Sequence, residues 1–455
     1  MPFVSINPAT GETLRTYRSH RRSEVAAALA EVHAAQANWR ELSLGDRARH
    51  VHALAARLRK DRDELAQLIV TEMGKPLAQA RSEIEKCANT CDHYARHAAA
   101  YLKPDRPLGA PKRARIVHAP LGVVLAIMPW NFPFWQVFRA AAPALMAGNT
   151  ILLKHATSVP GCALAIEQVF ADAGTPTGLL RTVFAETERV PDLIADPRIR
   201  VVSLTGSTAA GRKVGALAGA ALKPCVFELG GSDPYLVLAD ADLAHAARTC
   251  ATARLINGGQ SCISAKRIIV VDAVRAEFET LLTAEIARRR VGPPTDPTTD
   301  VGPLARADLR TTLHRQVQAS VKAGARLLLG GTVPKGPGFY YPCTVLADVR
   351  PGMPAYGDEL FGPVAAILPA RDEAEALAIA NDSPYGLGAA VFTRNRRRGL
   401  EIATHQLDVG MVCVNDFVRS DPHLPFGGTK ASGYGRELGR HGILSFVNPK
   451  AVTVP

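Results

Sequence analysis

Apolar residues in the first hundred positions recur every three to four residues, which is the spacing of one face of a helix. A Pro-, Gly- and Arg-containing stretch, 106–115, interrupts this pattern, and residues 116–120 read as a short strand. The sequence therefore predicts a helical N-terminal region followed by a projecting loop and strand. The predicted helices cover residues 22–39, 44–59, 61–73 and 76–102.

From residue 123 onward, short apolar runs alternate with segments of helical period. This alternation is typical of an α/β fold with a parallel, doubly wound sheet, in which ligands bind at the carboxyl ends of the strands. A second series of the same kind begins near residue 243. The predicted strands are 123–128, 150–154, 182–184, 200–205, 224–229 and 267–271, and the helices are 133–146, 159–173, 191–196, 209–217, 243–257, 274–290 and 307–323.

Length and composition narrow the possibilities further. A chain of 455 residues with 47% apolar and 21% charged residues is an ordinary globular protein of two or three domains. It has no membrane-length apolar run and no signal-peptide pattern, so we expect a cytoplasmic protein. The net charge of +12 comes from dispersed basic residues without a nucleic-acid-binding motif, which predicts a solvated basic surface and no nucleic-acid partner.

The eight cysteines are expected to be reduced thiols in such a large chain. One arrangement, Cys87-x3-Cys91-x-His93-x3-His97, has residue types that zinc accepts. The two cysteines and their apolar neighbours also fit the buried stripe of a long helix. We favour packing here and predict no metal.

Two segments suggest a nucleophile and a base. Cys262 ends the loop Asn-Gly-Gly-Gln-Ser-Cys at 257–262, and a loop on a rigid scaffold is a common place for a nucleophile. Glu228 ends a predicted buried strand before Gly-Gly, where burial can tune a carboxylate into a general base. A structural thiol and a surface carboxylate are the competing interpretations.

Two further segments suggest oxyanion and phosphate contacts. Asn131 lies between prolines in Pro-Trp-Asn-Phe-Pro at 129–133, and a fixed amide can donate to a developing oxyanion, although Asn is also a common turn residue. The segment Thr-Gly-Ser-Thr-Ala-Ala-Gly at 205–211 follows a strand and opens a helix, so its backbone N–H groups can face a phosphate.

Taken together, these segments resemble the NAD(P)-dependent aldehyde dehydrogenases. The resemblance runs from about residue 5 to the end of the chain in the family's order. The matching segments are PWNFP at 129–133, LTGSTAAG at 204–211, ELGG at 228–231, NGGQSC at 257–262, ELFGPV at 359–364, PYGLGAAVFT at 384–393 and PFGGTKASGYGRE at 425–437.

The resemblance implies a covalent mechanism: Cys262 attacks the aldehyde, Asn131 and the Cys262 N–H hold the oxyanion, and Glu228 activates water to hydrolyse the thioester. It also implies NADP or NAD as cofactor. Thr157 stands where many NAD-preferring relatives carry an acidic residue, so we expect a preference for NADP. The implied cofactor-binding residues are Trp130, Lys154, Thr157, Ser158, Gly206, Ser207, Gly211, Leu229, Glu359 and Phe361.

Within the family, the chain resembles the shorter succinate-semialdehyde dehydrogenases. Arg139, Ser420 and Trp135 are the implied substrate residues, with Arg139 as a clamp for a distal carboxylate; a structural ion pair is the alternative. Ile256 stands where some relatives have a second Arg, which leaves an apolar or aromatic aldehyde open as substrate. No Cys adjoins Cys262, so the disulfide switch of some relatives is not expected.

The expected organisation is an NAD(P)-binding domain at 1–105 and 121–227, a catalytic domain at 228–428 and an oligomerisation element at 106–120 and 429–455. The last element, with a strand at 451–454, predicts a homodimer or homotetramer. Two rival functions remain: an acylating dehydrogenase that uses coenzyme A, and an inactive binding protein of the same fold. Glu228 argues against the first, and the combination of Cys262, Glu228 and Asn131 against the second.

Overall fold

The computed structural model describes residues 3–111 and 113–454 of the chain. Its N-terminal region is helical at the predicted positions, and the helix ends follow local chemistry. Ser43 caps one helix by accepting from the Asp46 N–H, and Gly74 ends the next with a left-handed φ of 80°. A short antiparallel hairpin, which the sequence pattern did not predict, precedes the helices. The elements are β1 (Phe3–Ile6), β2 (Thr13–Tyr17), α1 (Arg22–Trp39), α2 (Leu44–Lys60), α3 (Arg62–Met73) and α4 (Leu77–Tyr101).

The first sheet has five parallel strands in the order β6-β5-β4-β7-β8. Helices connect the strands, as in a doubly wound fold, so the predicted fold class is confirmed. The elements are β3 (Arg115–Pro120), β4 (Val123–Met128), α5 (Trp135–Met146), β5 (Thr150–His155), α6 (Pro160–Asp172), β6 (Leu180–Thr182), α7 (Val190–Ala195), β7 (Ile199–Thr205), α8 (Thr208–Ala220) and β8 (Cys225–Glu228).

The second sheet has seven strands in the order β11-β12-β13-β10-β9-β15-β16, all parallel except the β11–β12 pair. The elements of this part of the chain are β9 (Asp233–Val237), α9 (Leu243–Leu255), β10 (Ala265–Val271), α10 (Asp272–Ala287), α11 (Ala307–Lys322), β11 (Arg326–Leu329), β12 (Thr344–Ala347), α12 (Pro354–Gly357), β13 (Val364–Ala370), α13 (Glu373–Asn381), β14 (Tyr385–Gly386), β15 (Gly388–Phe392), α14 (Arg396–His405) and β16 (Met411–Val414). Of these strands, β14 lies outside the seven-stranded sheet.

Part of the C-terminal region packs on the elements described above, which we call the body. Its last strand pairs with β3 in a separate two-stranded sheet, which we call the arm. The C-terminal region contains β17 (Thr429–Lys430), α15 (Gly439–Leu444) and β18 (Val447–Val452). β17 pairs with β14, and α15 packs on α4 and α5. β18 pairs antiparallel with β3, from Val447 opposite Pro120 to Val452 opposite Arg115, and begins earlier than the predicted 451–454.

Buried apolar side chains fill the space between helices and sheets. Cys87 and Cys91 have no solvent exposure and pack in the core that α4 shares with α2, α3 and α5, which bears out the packing interpretation of these thiols. None of the helices in the described part of the chain combines the length and apolar character needed to cross a membrane.

Candidate active site

The loop that carries Cys262 is held from both sides. After α9, a short 3-10 turn at Ile256–Gly259 places Asn257 in the left-handed region with a φ of 57°. The Asn257 side-chain amide donates to Asn131 O at 2.8 Å and to Gln260 O at 3.1 Å. From β10, Lys266 Nζ donates to the carbonyls of Ser261 at 2.9 Å and Cys262 at 2.7 Å. The predicted nucleophile therefore stands on a fixed backbone.

Two pockets meet at Cys262. One, of about 450 Å³, has an apolar lining that includes Trp135, Ile256 and Phe417. The other, of about 370 Å³, lies over the carboxyl ends of the first sheet and includes Asn131 and Leu229. Cys262 lines both, so a thiolate here reaches a molecule in either pocket.

Asn131 follows β4, in a turn that contacts the loop carrying Cys262. Its side-chain amide is buried and donates to Gln260 O at 3.1 Å, two residues before Cys262. Glu83 fixes the rest of the turn by accepting from the Phe134 and Trp135 N–H groups at 2.9 and 3.0 Å. An amide held in this way can donate to an oxyanion formed at Cys262 without a prior rearrangement of its side chain.

Glu228 ends β8 with a side chain that is 2% exposed. Burial raises the pKa of its carboxyl to about 8; the nearby Arg139 works against this rise and Glu437 adds to it. Neither carboxylate oxygen has a hydrogen-bond partner among the described residues. A buried acid that makes no hydrogen bond with the described residues and has a pKa near neutrality is suited to general-base catalysis.

The Cys262 thiol is held in its neutral form in this state. Burial raises its pKa to about 12, and Glu228 contributes in the same direction, whereas Arg139 and Lys266 lower it. Since the thiolate is the attacking species, Cys262 needs a proton acceptor or added positive charge when substrate binds.

The 370 Å³ pocket has the features of a dinucleotide site. Ser207 caps α8 at its N-terminus, where N–H groups favour an anion. Gly211 allows α8 to approach Leu229, because a Cβ at Gly211 would collide with that side chain. Glu359 accepts from the Gly231 N–H at 3.1 Å and pairs with Lys266 at 3.3 Å. Other predicted cofactor residues in the lining are Trp130, Gly206 and Phe361.

The three remaining cofactor residues lie at the end of β5 and beyond it. Lys154 is buried, and burial lowers the pKa of its ammonium group. Thr157 is exposed in the following turn. The Ser158 hydroxyl is buried without a hydrogen-bond partner among the described residues, so it has a free donor. These polar groups do not belong to the lining of the 370 Å³ pocket.

The geometry favours the structural ion pair, the alternative interpretation of Arg139. Its guanidinium lines the apolar pocket but is 1% exposed and pairs with Glu437 at 2.5 Å and Glu228 at 3.5 Å. It also donates to the Thr205 hydroxyl at 3.1 Å. With two carboxylates already in contact, Arg139 fits the alternative of a structural ion pair, and it positions Glu228 rather than serving as a free clamp.

The same pocket contains a second cation, Lys86, which the sequence analysis missed. Lys86, on α4, lines the apolar pocket; its Nζ donates to Ser420 Oγ at 2.5 Å and lies 4.3 Å from the Trp135 ring centroid. Among the described residues, no carboxylate forms an ion pair with it. The sequence alone gives little reason to select Lys86, a lysine on a long helix. Its partner Ser420 is 334 residues away, so no local motif connects the two.

The comparisons with known proteins agree with this arrangement. The model of the "Aldehyde dehydrogenase family" matches residues 1–452. The chain belongs to the aldehyde dehydrogenase family. Among its relatives, the succinate semialdehyde dehydrogenase [NAD(P)+] Sad of Escherichia coli K12 is 47% identical over 99% of this chain and 97% of that protein. A probable succinate-semialdehyde dehydrogenase [NADP(+)] of Synechocystis is 46% identical over the full length of both.

Solved structures give the same result. The crystal structure of succinic semialdehyde dehydrogenase from Streptococcus pyogenes, in complex with NADP+, superimposes with a TM-score of 0.96 at 36% identity and covers 100% of both chains. This aldehyde dehydrogenase thus has the fold, the nucleophile loop and the paired pockets of an oxidoreductase that acts through an enzyme-bound thioester.

Proposed function

We propose that the protein oxidises succinate semialdehyde to succinate and prefers NADP as the hydride acceptor. One observation carries the substrate assignment: Lys86 lines the pocket that contains Cys262 and forms no ion pair with the described residues. The other cations of that pocket, Lys75, Arg139 and Arg419, are each paired with a carboxylate. The names of the relatives from Escherichia coli and Synechocystis agree with this substrate.

Lys86 is suited to an anion at the end of a short chain. Burial and the nearby Arg139 lower the pKa of its ammonium to about 8, so it is mostly protonated at pH 7, and a bound carboxylate would favour the charged form further. The Ser420 hydroxyl beside it can turn to donate to the same carboxylate. A charge-assisted hydrogen bond of this kind is worth about 1.5–3 kcal/mol, or roughly one to two decades in kcat/KM.

In the proposed reaction, Cys262 attacks the aldehyde carbon and forms a thiohemiacetal. Asn131 and the Cys262 N–H donate to the oxyanion. Bound NADP would supply the hydride acceptor, so that the adduct on Cys262 is oxidised to a thioester. Glu228 then takes a proton from water, which attacks the thioester and releases succinate. Arg139, which is itself paired with Glu437, lies 3.5 Å from the Glu228 carboxyl and would help to position it during this step.

We infer that NADP would be held along the first sheet. Ser207 and the α8 N-terminus would receive the diphosphate, and Trp130, Leu229, Glu359 and Phe361 would surround the nicotinamide half. The uncharged Thr157 and the free hydroxyl of Ser158 support a place for the 2′-phosphate beside Lys154.

The substrate proposal is tested by comparing succinate semialdehyde with butanal, which has the same chain length but no carboxylate. We expect the wild-type enzyme to prefer the semialdehyde, and Lys86→Met to lower kcat/KM for it about 10- to 100-fold while butanal turnover remains near the wild-type rate. Lys86→Arg, which keeps a cation, should retain more of the preference.

Butanal is the internal control for folding and for an intact Cys262. Equal losses for both aldehydes in Lys86→Met would contradict the assignment of Lys86, and equal turnover of both by the wild-type enzyme would contradict the substrate. The two rival functions are distinguished in the same assay: acid must form with NADP in the absence of coenzyme A, and Cys262→Ala must abolish it.

The proposal extends to assembly and location. The β3–β18 arm supports a homodimer or homotetramer, because an isolated pair of strands is marginally stable by itself.

A cytoplasmic location rests on the eight cysteines, all of which are free thiols. Cell fractionation tests the location, and the mass of the purified protein tests the assembly.

A further inference from the structure

Three histidines form a cluster outside the active site. His93 and His97 lie one turn apart on the same face of α4, and His423 comes from the loop between β16 and β17. Their potential ligand atoms all lie within 4.8 Å of one another. The ring centroids of His93 and His97 are 4.7 Å apart, and those of His93 and His423 are 4.5 Å apart.

We propose that His93, His97 and His423 bind a divalent transition-metal ion, of the zinc, nickel or copper group, which joins α4 to the loop that carries Ser420. Imidazole is a favoured ligand of these ions, and three imidazoles leave at least one position for water. Cys91, the sequence neighbour that could have added a thiolate, is fully buried in the core.

The surroundings of the cluster orient two of the rings. Asp421 Oδ1 lies 2.8 Å from His423 Nδ1, which leaves Nε2 for a metal; a carboxylate behind a ligating histidine is the usual outer partner of such a ligand. The Tyr101 hydroxyl lies 3.0 Å from His93 Nε2, so Nδ1 is the available nitrogen of His93.

Space and charge at the cluster also permit a cation. The open pocket here measures about 500 Å³, and Arg59 and Arg96 line it with Asp92. Asp92 pairs with Arg59 at 2.8 Å and with Arg96 at 3.7 Å, which offsets part of their repulsion of a metal.

Closure around a metal needs only side-chain movement. Tetrahedral coordination at Zn–N distances of 2.0–2.1 Å places nitrogens about 3.3 Å apart. His97 and His423 are both exposed, so their rings can turn inward from the present separation. His423 follows Ser420 by three residues, so a bound metal would fix the loop that forms one wall of the 450 Å³ pocket.

The test is calorimetric titration of the full-length protein with Zn²⁺, together with the visible absorption of bound Co²⁺. A Cys262→Ala background removes the catalytic thiol as a competing ligand. We expect one ion per chain, with a Co²⁺ spectrum that lacks thiolate charge-transfer bands. Adding His97→Ala or His423→Ala should lower the affinity for the metal about 100-fold or more. Removing a group that only hydrogen-bonds to a metal ligand already costs about 10- to 100-fold, and a ligand should cost more.

His405→Ala in the same background is the matched control, because His405 is an exposed histidine at the end of α14, and it should bind metal as the background does. Metal should also slow amide hydrogen exchange in residues 416–424, and His97→Ala, which lies outside that loop, should abolish this protection. Absent binding, or equal binding with and without His97 and His423, would overturn the proposal. None of these readouts depends on the substrate, so the outcome is independent of the proposed function.

Discussion

The chemistry of this enzyme depends at the residue scale on how one carboxyl ionises. Glu228 is protonated at neutral pH because burial raises its pKa to about 8. A general base acts in its ionised form, so only about a tenth of the molecules are ready to activate water at pH 7. Arg139 lies 3.5 Å from this carboxyl, pairs with Glu437, and also lines the 450 Å³ pocket.

Thioester hydrolysis should therefore accelerate with pH. We expect its rate to rise about tenfold per unit below pH 8 and to level off above, because deprotonation of Glu228 becomes complete. Glu228→Gln should release a rapid burst of NADPH followed by slow turnover, without this rise. Stopped-flow absorbance across pH 6–10 measures both phases. An unchanged steady-state rate in the variant would remove Glu228 from hydrolysis.

Residues of the site could be predicted where the chemistry lies in one short segment. Cys262, Glu228 and Asn131 each follow a strand or helix end next to glycine or proline, and the structure brings their segments together. Lys86 and the ion pairs of Arg139 could not be predicted this way. Their partners, Ser420 and Glu437, are about three hundred residues away, and only the packing of α4 and α5 against the C-terminal segment joins them.

At the scale of elements, buried periodic segments were predictable and exposed or short ones were not. β4 occupies its predicted range because it is a central parallel strand whose residues are all apolar and almost all buried. β2 was missed because its residues, Thr13–Tyr17, are almost entirely exposed and carry no apolar alternation. The histidine cluster could be predicted only in part: the sequence analysis considered His93 and His97 as zinc ligands with two cysteines and favoured packing, and the third member, His423, comes from a distant loop.

The turn after β5 carries the predicted cofactor preference. Thr157 is exposed there, and the buried Ser158 hydroxyl is free to donate to a phosphate. Thr157→Glu should weaken NADP binding about tenfold or more by charge repulsion and should change NAD binding little. Thr157→Gln is the control of similar size without charge. Fluorescence titration with each cofactor gives the dissociation constants, and parallel losses for NADP and NAD would contradict the assignment.

At the scale of the whole molecule, the two-stranded arm formed by β3 and β18 belongs to neither of the two large sheets. β3 and β18 pair with each other, and apart from a bridge between Asp105 and Ile116 of β3 their outer edges are unpaired in the described chain. Four central residues of β18, Asn448–Ala451, are exposed, and Leu108 in the preceding loop is fully exposed. Unpaired strand edges and exposed apolar side chains both favour a protein partner, and a second copy of the chain is the simplest one.

The native enzyme should therefore have at least twice the mass of one chain in light scattering, and deletion of residues 448–455 should reduce that mass. The deletion begins after Val447, so it keeps Phe446, whose carbonyl accepts from the Asn149 side chain at 3.0 Å and anchors the C-terminal segment to the body. Because the arm does not line either pocket at Cys262, the shortened chain should still bind NADP with an affinity near that of the full chain. Leu108→Ser is a milder variant that leaves both strands in place and should loosen assembly in the same direction. A wild-type monomer, or a deletion variant with undiminished mass, would show that the arm has no role in assembly.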